Sequence, residues 1–525
     1  MRTEPSGTAQ GDASPMKNVV IVGGGTSGWM AAAALARIVP PTVSITLVES
    51  DDIGVIGVGE ATIPTLMEFN DFLGLKENDV LRECRGTLKL GIEFVDWLRK
   101  GDSYFHPFGF YGRDTPEFAF HQLWLRLRHL SATGEAPADA AGDIGDYNLC
   151  TVAARLGRFS PPQGSDDAIL STTRHAYHID STLYARMLRR YAEAKGVRRT
   201  EGMVVGTQRN PTTGNIQSVT LRNGTILAAD LFIDCSGFRS LLLGDTLGSE
   251  FVDWSHYLPC DRALAVPTAP NGAPPPFTRA MADRGGWRWR IPLQHRTGNG
   301  YVYSSAFIDQ DEAERKLIEG ADGEPLADCR PLRFRTGHRR RFWQKNCVAI
   351  GLSGGFIEPL ESTSIHLAQM GVQRLVNLWP GRGFNEAETA YYNRLMTADY
   401  ERIRDFIVLH YSATERDDSE FWRHVGSMAI PDTLAAKLDM FRFSGRIIPS
   451  PDDLFTAHSW LAVMLGQGVV PQSYDALLDR VPANALIHNM RLLKDGVAKT
   501  AAALPGHQDY IDRNCRAPAE PEQLV

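Results

Sequence analysis

Apolar and polar positions in the first fifty residues follow the order strand, glycine loop, helix, strand. Residues 17–22 form a largely apolar run that ends at a cluster of glycines. Residues 29–37 are rich in alanine, which is the strongest helix former. Residues 43–49 form a second run of β-branched and apolar side chains. This order predicts the start of a doubly wound α/β fold with a parallel sheet.

Later apolar runs predict how the chain continues. Residues 225–236 and 346–351 are expected to be strands that return to the first sheet. Residues 201–231 alternate in polarity around an Asn-Pro and an Asn-Gly turn, a pattern typical of a β-ribbon. Residues 285–310 and 331–345 predict strands of a second sheet.

The remainder of the chain is predominantly helical in pattern from residue 364 onward, with amphipathic stretches at 373–379 and 391–409. A chain of 525 residues is too long for one compact core, so we expect a discontinuous organisation. The predicted parts are a disordered tail (1–15), a nucleotide-binding core with sheet insertions around 90–180 and 240–345 (16–380), a helical C-terminal region (381–516) and a polar tail (517–525).

Composition excludes several classes of function. The net charge of -7 leaves no basic footprint for a nucleic acid, and no apolar run is long enough to predict a membrane span. Seven scattered cysteines, without paired spacing, predict reduced and mostly buried thiols in a cytoplasmic protein and no metal site. A homodimer is expected only from the frequency of such assemblies.

The N-terminal glycines form a Gly23-x-Gly25-x-x-Gly28 loop between a strand and a helix. The first glycine permits a tight turn, the second lets the backbone approach a pyrophosphate, and the third allows close helix packing. The helix N-terminus, with Thr26 and Ser27, then offers unpaired N–H groups to the phosphates. Glu49 ends the next strand at the spacing of a carboxylate that binds ribose hydroxyls.

Three other segments favour FAD over NAD as the dinucleotide. Residues 232–237 and 351–359 resemble segments that FAD-binding families place along the cofactor, and residues 57–64 resemble a loop that straps over a flavin. An ordinary surface turn is the alternative for the last segment. No second nucleotide loop for NAD(P)H is evident in the sequence.

Residues 286–292 read Gly-Trp-Arg-Trp-Arg-Ile-Pro, a string that is rare by chance because tryptophan is scarce. Together with the glycine loop, this string resembles the flavin-dependent halogenases of the tryptophan halogenase family, over roughly residues 17–500. The resemblance implies a glutathione-reductase-like, monooxygenase-type FAD domain, an interleaved β-sheet substrate region and a helical C-terminal region. The cofactor contacts it implies, beyond the glycine loop, are Val58, Gly59, Ala61, Val204, Asp234, Leu352 and Ile365.

The same resemblance implies the chemistry. FADH2 from a separate NAD(P)H-dependent flavin reductase would react with oxygen and chloride or bromide, and hypohalous acid would reach an indole-type substrate at a second site. Trp287 and Trp289 would form a barrier that keeps the substrate away from the flavin, or would only pack in a core.

Two residues match the catalytic positions of the family. Lys89 lies in Thr-Leu-Lys-Leu-Gly-Ile, where apolar neighbours favour burial and a lowered pKa, although an exposed lysine is the alternative. It is expected to hold hypohalous acid by a hydrogen bond or to form a haloamine. Glu361 matches in Glu-Pro-Leu-Glu-Ser-Thr, whereas Glu358 does not. Glu361 would polarise the halogen source, or stabilise the ring cation and remove its proton.

Halide and substrate positions follow from the same match. Backbone amides at Thr363 and Ser364 are expected to hold the halide, with Ser364 in place of the usual glycine. His106, Phe108 and Trp460 are expected to form an aromatic sandwich around the indole, although simple packing is the alternative. Residues 441–450 lack the tyrosine pair that clamps free tryptophan, which favours a more open site for free indole, a substituted indole or a larger molecule.

Two other functions remain open from the sequence. A single-component flavin monooxygenase or dehydrogenase would oxidise NAD(P)H by itself and oxygenate an aromatic substrate without halide. A non-catalytic FAD-binding scaffold is suggested only by Ser364 and the missing clamp. The tryptophan string, Lys89 and Glu361 favour the halogenase.

Overall fold

A computed structural model describes residues 15–53, 59–165, 168–381, 383–448 and 450–518. Most of both predicted tails, and Val58 in the predicted strap, lie outside the described residues.

The strands are β1 (Asn18–Val22), β2 (Ser44–Glu49), β3 (Gly59–Ala61), β4 (Thr87–Lys89), β5 (Gly91–Val95), β6 (Ser103–Pro107), β7 (Ala176–Asp180), β8 (Arg198–Glu201), β9 (Val204–Arg209), β10 (Ile216–Leu221), β11 (Ile226–Ala228), β12 (Leu231–Asp234), β13 (Phe251–Asp253), β14 (Arg262–Thr268), β15 (Thr278–Asp283), β16 (Gly286–Pro292), β17 (Thr297–Tyr303), β18 (Arg330–Arg333), β19 (Gly337–Arg339), β20 (Trp343–Gln344), β21 (Cys347–Ala349) and β22 (Gly355–Phe356).

The α-helices are α1 (Thr26–Ile38), α2 (Thr65–Leu73), α3 (Glu77–Glu83), α4 (Phe120–Thr133), α5 (Leu149–Arg155), α6 (Ser181–Ala194), α7 (Gln310–Glu319), α8 (Ser364–Asn377), α9 (Glu386–Ser412), α10 (Glu420–Ser427), α11 (Asp432–Ser444), α12 (Ala457–Gly466), α13 (Ala483–Ala503) and α14 (His507–Asn514). None of the described helices is long and apolar enough to span a membrane.

The first sheet has six strands in the order β20-β21-β12-β1-β2-β8 and is parallel except for β20. Strand β1 lies between β2 and β12, and four of its five residues are buried, as expected for a central parallel strand. Helix α1 connects β1 to β2. The predicted doubly wound α/β fold is confirmed.

One predicted strand is divided. Residues 225–236 form β11 and β12, because the carboxylate of Asp230 between them turns back to the start of β1. It accepts hydrogen bonds from the backbone N–H groups of Lys17 and Asn18 at 2.8 and 2.9 Å. Strand β11 then pairs with β10 of the ribbon, and β12 enters the six-stranded sheet.

The prediction that residues 285–310 and 331–345 all belong to one second sheet is wrong in part. Strand β19 pairs with β13 and β22 in a separate sheet, and β20 joins the first sheet beside β21. Lys345 makes this hairpin possible, since its φ of 57° places it in the left-handed region. Residues 304–309 are not a strand, because Asp309 caps α7 by accepting the N–H of Glu312.

The second large sheet has seven strands in the order β18-β14-β17-β16-β15-β5-β6. The tryptophan string forms β16, between β15 and β17. Strands β5 and β6 pair with Ile92 opposite His106, which places the end of the predicted lysine segment beside a predicted substrate residue. Helix α12 packs against β6, and α9 packs against α8, α10, α11 and α12. The candidate site lies where these helices meet the β5–β6 edge.

Candidate active site

The glycine loop has the shape that a dinucleotide requires. Gly23 has a φ of 114°, and a Cβ there would lie 2.1 Å from the Cys235 carbonyl oxygen. A Cβ on Gly28 would lie 1.9 Å from the Gly23 carbonyl oxygen, whereas a Cβ on Gly25 would meet open space. Helix α1 begins at Thr26 without a side-chain cap or an acidic first turn, so its N–H groups face outward. These residues therefore fit the pyrophosphate of FAD.

Glu49 lies over this loop. Its carboxylate occupies the space that a Cβ on Gly24 would fill, at 1.5 Å from that position. Arg199 Nε donates to one carboxylate oxygen at 2.5 Å, and Trp29 Nε1 donates to the other at 3.3 Å. These two partners, which the sequence did not reveal, hold the carboxylate over the glycine loop, and its contact with the ribose stays a prediction.

The carboxylate of Asp234 is hydrogen-bonded within the protein. Asp234 ends β12 opposite Val22, and its carboxylate accepts hydrogen bonds from the backbone of Ser236, Leu242 and Leu243 and from the Ser236 hydroxyl. These hydrogen bonds fix the shape of the following turn beside the glycine loop, and a contact of Asp234 with the cofactor stays a prediction.

The other described residues with predicted cofactor roles are distributed over several segments. Val204 is buried in a cluster beneath the first sheet. Leu352 lies in a 3₁₀ turn after β21, and a Cβ on the preceding Gly351 would meet Ser27 Oγ at 2.2 Å, so this turn contacts the glycine loop. Ile365 lies in the first turn of α8. Gly59 and Ala61 lie in the short strand β3, within the predicted strap segment.

Lys89, at the end of β4, is fully buried. Its Nζ donates to the Thr62 carbonyl oxygen at 3.0 Å and to Ser362 Oγ at 2.9 Å, and lies 5.1 Å from the centroid of the Phe108 ring. Burial lowers the pKa of Lys89 to about 7, although the negative charge of Glu361 opposes this change. The exposed-lysine alternative is therefore excluded.

Glu361 is also fully buried, between two histidines. His106 Nδ1 lies 2.9 and 3.0 Å from its two oxygens, and His410 Nε2 lies 2.9 Å from one of them. Burial alone would raise the pKa of Glu361, but His106 and His410 outweigh it and lower the pKa to about 2. Glu361 is therefore ionised at neutral pH.

His410 was not identified from the sequence. It follows the predicted amphipathic stretch 391–409 directly, and its Nδ1 lies 2.9 Å from the Phe406 carbonyl oxygen. Its Nε2 lies 2.9 Å from a Glu361 oxygen. His410 therefore lies with its two ring nitrogens between the Phe406 carbonyl and the Glu361 carboxylate.

The turn after Glu361 combines backbone strain with a helix N-terminus. Ser362 has a φ of 61°, which is rare outside glycine and sets its hydroxyl toward Lys89. Helix α8 then begins with Thr363 as N-cap and Ser364 as its first residue, without a side-chain cap or an acidic first turn. Over the described ranges, the N–H groups of Thr363 and Ser364 have no acceptor, as an anion site requires.

The aromatic residues are arranged around Phe406, which the sequence did not single out. Its ring lies 5.7 Å from His106, 4.9 Å from Trp460 and 3.8 Å from Phe455, with which it stacks. Among the described rings, Trp460 does not contact His106 or Phe108 directly. The structure therefore places Phe108 beside Lys89. The Phe406 ring lies between Trp460 and the two histidines next to Glu361, His106 and His410.

A cavity of about 530 Å³ borders Trp460 and Phe455 on the outside of this aromatic group. Its lining carries both signs of charge, including Arg402, Asp453 and Lys437. Lys437 Nζ lies 5.1 Å from the centroid of the Trp460 ring and 3.6 Å from an Asp453 oxygen.

The tryptophan string lies inside the protein. Trp287 is fully buried, and its Nε1 donates to Glu358 Oε1 at 3.1 Å. Trp289 packs its ring over Gly300, where a Cβ would lie 2.0 Å from the ring. A barrier toward the flavin remains a prediction for both residues.

Comparison with known proteins identifies the family. A model of the tryptophan halogenase family matches residues 18–483. The chain is 36% identical to the tryptophan 7-halogenase of Lentzea aerocolonigenes, over 94% of this chain and 98% of that protein. A flavin-dependent halogenase from Xanthomonas campestris superposes with a TM-score of 0.92 at 45% identity, over 97% of this chain and 100% of that one. A flavin-dependent halogenase from Brevundimonas sp. BAL3 superposes with a TM-score of 0.90 at 40% identity, over 95% and 99% of the two chains. The chain therefore belongs to the tryptophan halogenase family of flavin-dependent halogenases.

Proposed function

We propose that this flavin-dependent halogenase chlorinates or brominates an indole ring, with Lys89 and Glu361 as its catalytic residues. The observation that carries the proposal is the burial of both groups beside the same turn, the one that carries Glu361. Lys89 Nζ binds the hydroxyl of Ser362, which directly follows Glu361. A buried amino group and a buried carboxylate that meet at one short segment cost stability, which is typical of a functional site.

The cofactor defines the oxidising step. When bound, reduced FAD supplies, with dioxygen, the oxidising equivalents that convert a halide ion to hypohalous acid, and a separate flavin reductase provides FADH2 in this family. The family assignment disfavours the single-component monooxygenase. In the proposal, the free N–H groups of Thr363 and Ser364 hold the halide, because a halide needs donors rather than a particular side chain.

Lys89 is suited to receive hypohalous acid. Thr62 and Ser362 occupy two of the three Nζ directions, and no other described residue accepts from the third. In the ammonium form this direction carries an N–H that hydrogen-bonds the acid. In the amine form it carries a lone pair that takes the halogen, giving a haloamine and water. A pKa of about 7 keeps both forms populated at neutral pH.

Glu361 is suited to the cationic stage of ring substitution. An ionised carboxylate in a buried site stabilises the positive ring that forms when halogen adds to indole. It then accepts the ring proton while His106 stays hydrogen-bonded to it. His106 Nε2 is buried and, over the described ranges, has no partner, so it is available to the substrate.

The substrate is proposed to be free indole, a substituted indole or an indole within a larger molecule. The cavity beside Trp460 has the size of a small-molecule site, although Lys89, Glu361 and His106 do not line it. Residues 441–450 contain no tyrosine that would clamp an amino acid. Helix α11 ends at Ser444 with Gly445 in the left-handed conformation as its cap, and its last turns contain the phenylalanines Phe441 and Phe443 rather than tyrosines.

The test is incubation with FAD, a flavin reductase, NADH and chloride or bromide, with indole and tryptophan as separate substrates, followed by mass spectrometry. The wild type is expected to give a halogenated indole. Lys89→Met and Glu361→Gln are expected to bind FAD normally and give at most about a thousandth of that product. Halogenation at the wild-type rate by either variant would overturn the catalytic assignment.

A further inference from the structure

Glu358 is a fully buried carboxyl group with three polar neighbours. Its Oε1 accepts hydrogen bonds from Trp287 Nε1 at 3.1 Å and from the Tyr411 hydroxyl at 2.5 Å. Cys260 Sγ lies 3.8 Å from the same hydroxyl. Burial raises the pKa of Glu358 to about 7, although these donors oppose the change. A buried carboxyl group is costly, so its presence in this core requires a reason.

The position of Glu358 in the chain supplies that reason. Glu358 and Glu361 stand at the two ends of a 3₁₀ turn that includes Pro359. Their partners, Tyr411 and His410, are consecutive residues of α9. Two adjacent side chains of one helix therefore hold the two ends of the turn that carries Glu361.

The tryptophan string adds the third fixed point. Trp287 lies on β16, in the middle of the seven-stranded sheet, so its hydrogen bond ties the turn to a rigid strand. The Trp97 ring packs 6.5 Å from Trp287, 5.4 Å from Tyr411 and 5.9 Å from His410. The indole N–H of Trp97 donates to the Ala280 carbonyl on β15. One aromatic cluster thus packs against both ends of the turn.

We propose that Glu358, held by Trp287 and Tyr411, is a positioning residue that sets Glu361 and Ser362 in their catalytic geometry. This inference rests on the proposed function of Glu361. It assigns Trp287 a task other than the predicted barrier, because its N–H group fixes the turn that carries Glu361. A displacement of about 1 Å in a catalytic group such as Glu361 lowers the rate about 100-fold, so residues that fix its position contribute to catalysis without touching the substrate.

The experiment compares Trp287→Phe and Tyr411→Phe with Trp422→Phe. Trp422 is a matched control because it belongs to the same cluster, 6.1 Å from Tyr411, and its Nε1 donates to the Asp283 carbonyl rather than to Glu358. Each variant is assayed for kcat and KM with indole, for hypohalous acid trapped in solution and for thermal stability.

The expected result is a split between the two chemical steps. Trp287→Phe and Tyr411→Phe should lower the kcat for halogenation about 10- to 100-fold, with KM within about twofold and hypohalous acid formed at the wild-type rate. Trp422→Phe should lose comparable stability but retain its yield of product per hypohalous acid. Glu358→Gln, which keeps an acceptor for both donors, should retain activity that Glu358→Leu loses.

Three results would overturn the proposal. In the first, Trp287→Phe and Tyr411→Phe both keep the wild-type yield of halogenated indole per hypohalous acid formed. In the second, that yield falls no further than in Trp422→Phe. In the third, Glu358→Leu is as active as Glu358→Gln. If Glu361→Gln itself halogenates indole normally, the proposed function fails and this inference fails with it. If Glu361→Gln is inactive while the first results hold, only the positioning role is refuted.

Discussion

Burial of Lys89 predicts that this lysine destabilises the folded protein at neutral pH. Its side chain is fully buried, and its pKa falls from 10.5 to about 7. Between these pH values the unfolded chain binds a proton that the folded chain binds only in part. Unfolding therefore takes up protons, and the stability of the fold rises as the pH rises from 7 toward 10.5.

The size of this effect follows from the two pKa values. Relative to high pH, the lowered pKa of Lys89 reduces the free energy of unfolding by about 4 kcal/mol at pH 7 and by about 1 kcal/mol at pH 9.5. The free energy of unfolding therefore rises by about 3 kcal/mol between the two pH values. The unfolding entropy of a 525-residue chain is about 1 kcal/mol per degree, so this difference corresponds to about 3 °C in Tm.

Scanning calorimetry of Lys89→Met and the wild type at both pH values measures the effect. Only the wild type has the titrating group, so its Tm should rise relative to that of the variant by about 3 °C from pH 7 to pH 9.5. Lys499→Met is the control, since Lys499 is exposed on α13, and its Tm difference should not change. A Lys89→Met difference that is also constant with pH would refute the burial argument.

Two further predictions concern the halide and the substrate. In an equimolar mixture of chloride and bromide, the wild type should give at least as much brominated as chlorinated product, because Ser364 replaces the family's usual glycine at the first residue of α8. Mass spectrometry of the products tests this, and a dominant chlorinated product would contradict it. Phe455→Ala removes the ring that stacks on Phe406 at 3.8 Å beside the cavity, so KM for indole should rise about tenfold or more, with hypohalous acid formation unchanged. An unchanged KM would show that this wall does not contact the substrate.

Local signals predicted much of the fold and several elements of the site. The glycine loop, Lys89 and Glu361 each lie in a short stretch whose residue types and order carry information by themselves. The fold prediction was correct for the same reason, because β1, α1 and β2 are adjacent in the chain.

Partners across the chain were not predictable in this way. His410 and Phe406 complete the surroundings of Glu361 from helix α9, and Glu358 becomes meaningful only beside Trp287 and Tyr411. The bond between Lys89 and Ser362 spans 273 positions, and the bond between His106 and Glu361 spans 255. Such contacts depend on tertiary packing, which a pattern of neighbouring residues does not contain.

The errors in the fold have a similar origin. The strand predicted at 225–236 breaks where Asp230 binds the distant start of β1, and the segment 331–345 divides among three sheets. In both places the apolar pattern predicted extended chain correctly, but the partner of each strand was decided by residues far away.

The central claim is that Glu361 acts on the indole ring and not on the halide. The most direct measurement compares hypohalous acid trapped in solution with halogenated indole, for the wild type and Glu361→Gln, under FADH2 and bromide. We predict wild-type formation of hypohalous acid by the variant and at most about a thousandth of the halogenated indole. Equal loss of both products, or retention of both, would contradict the account.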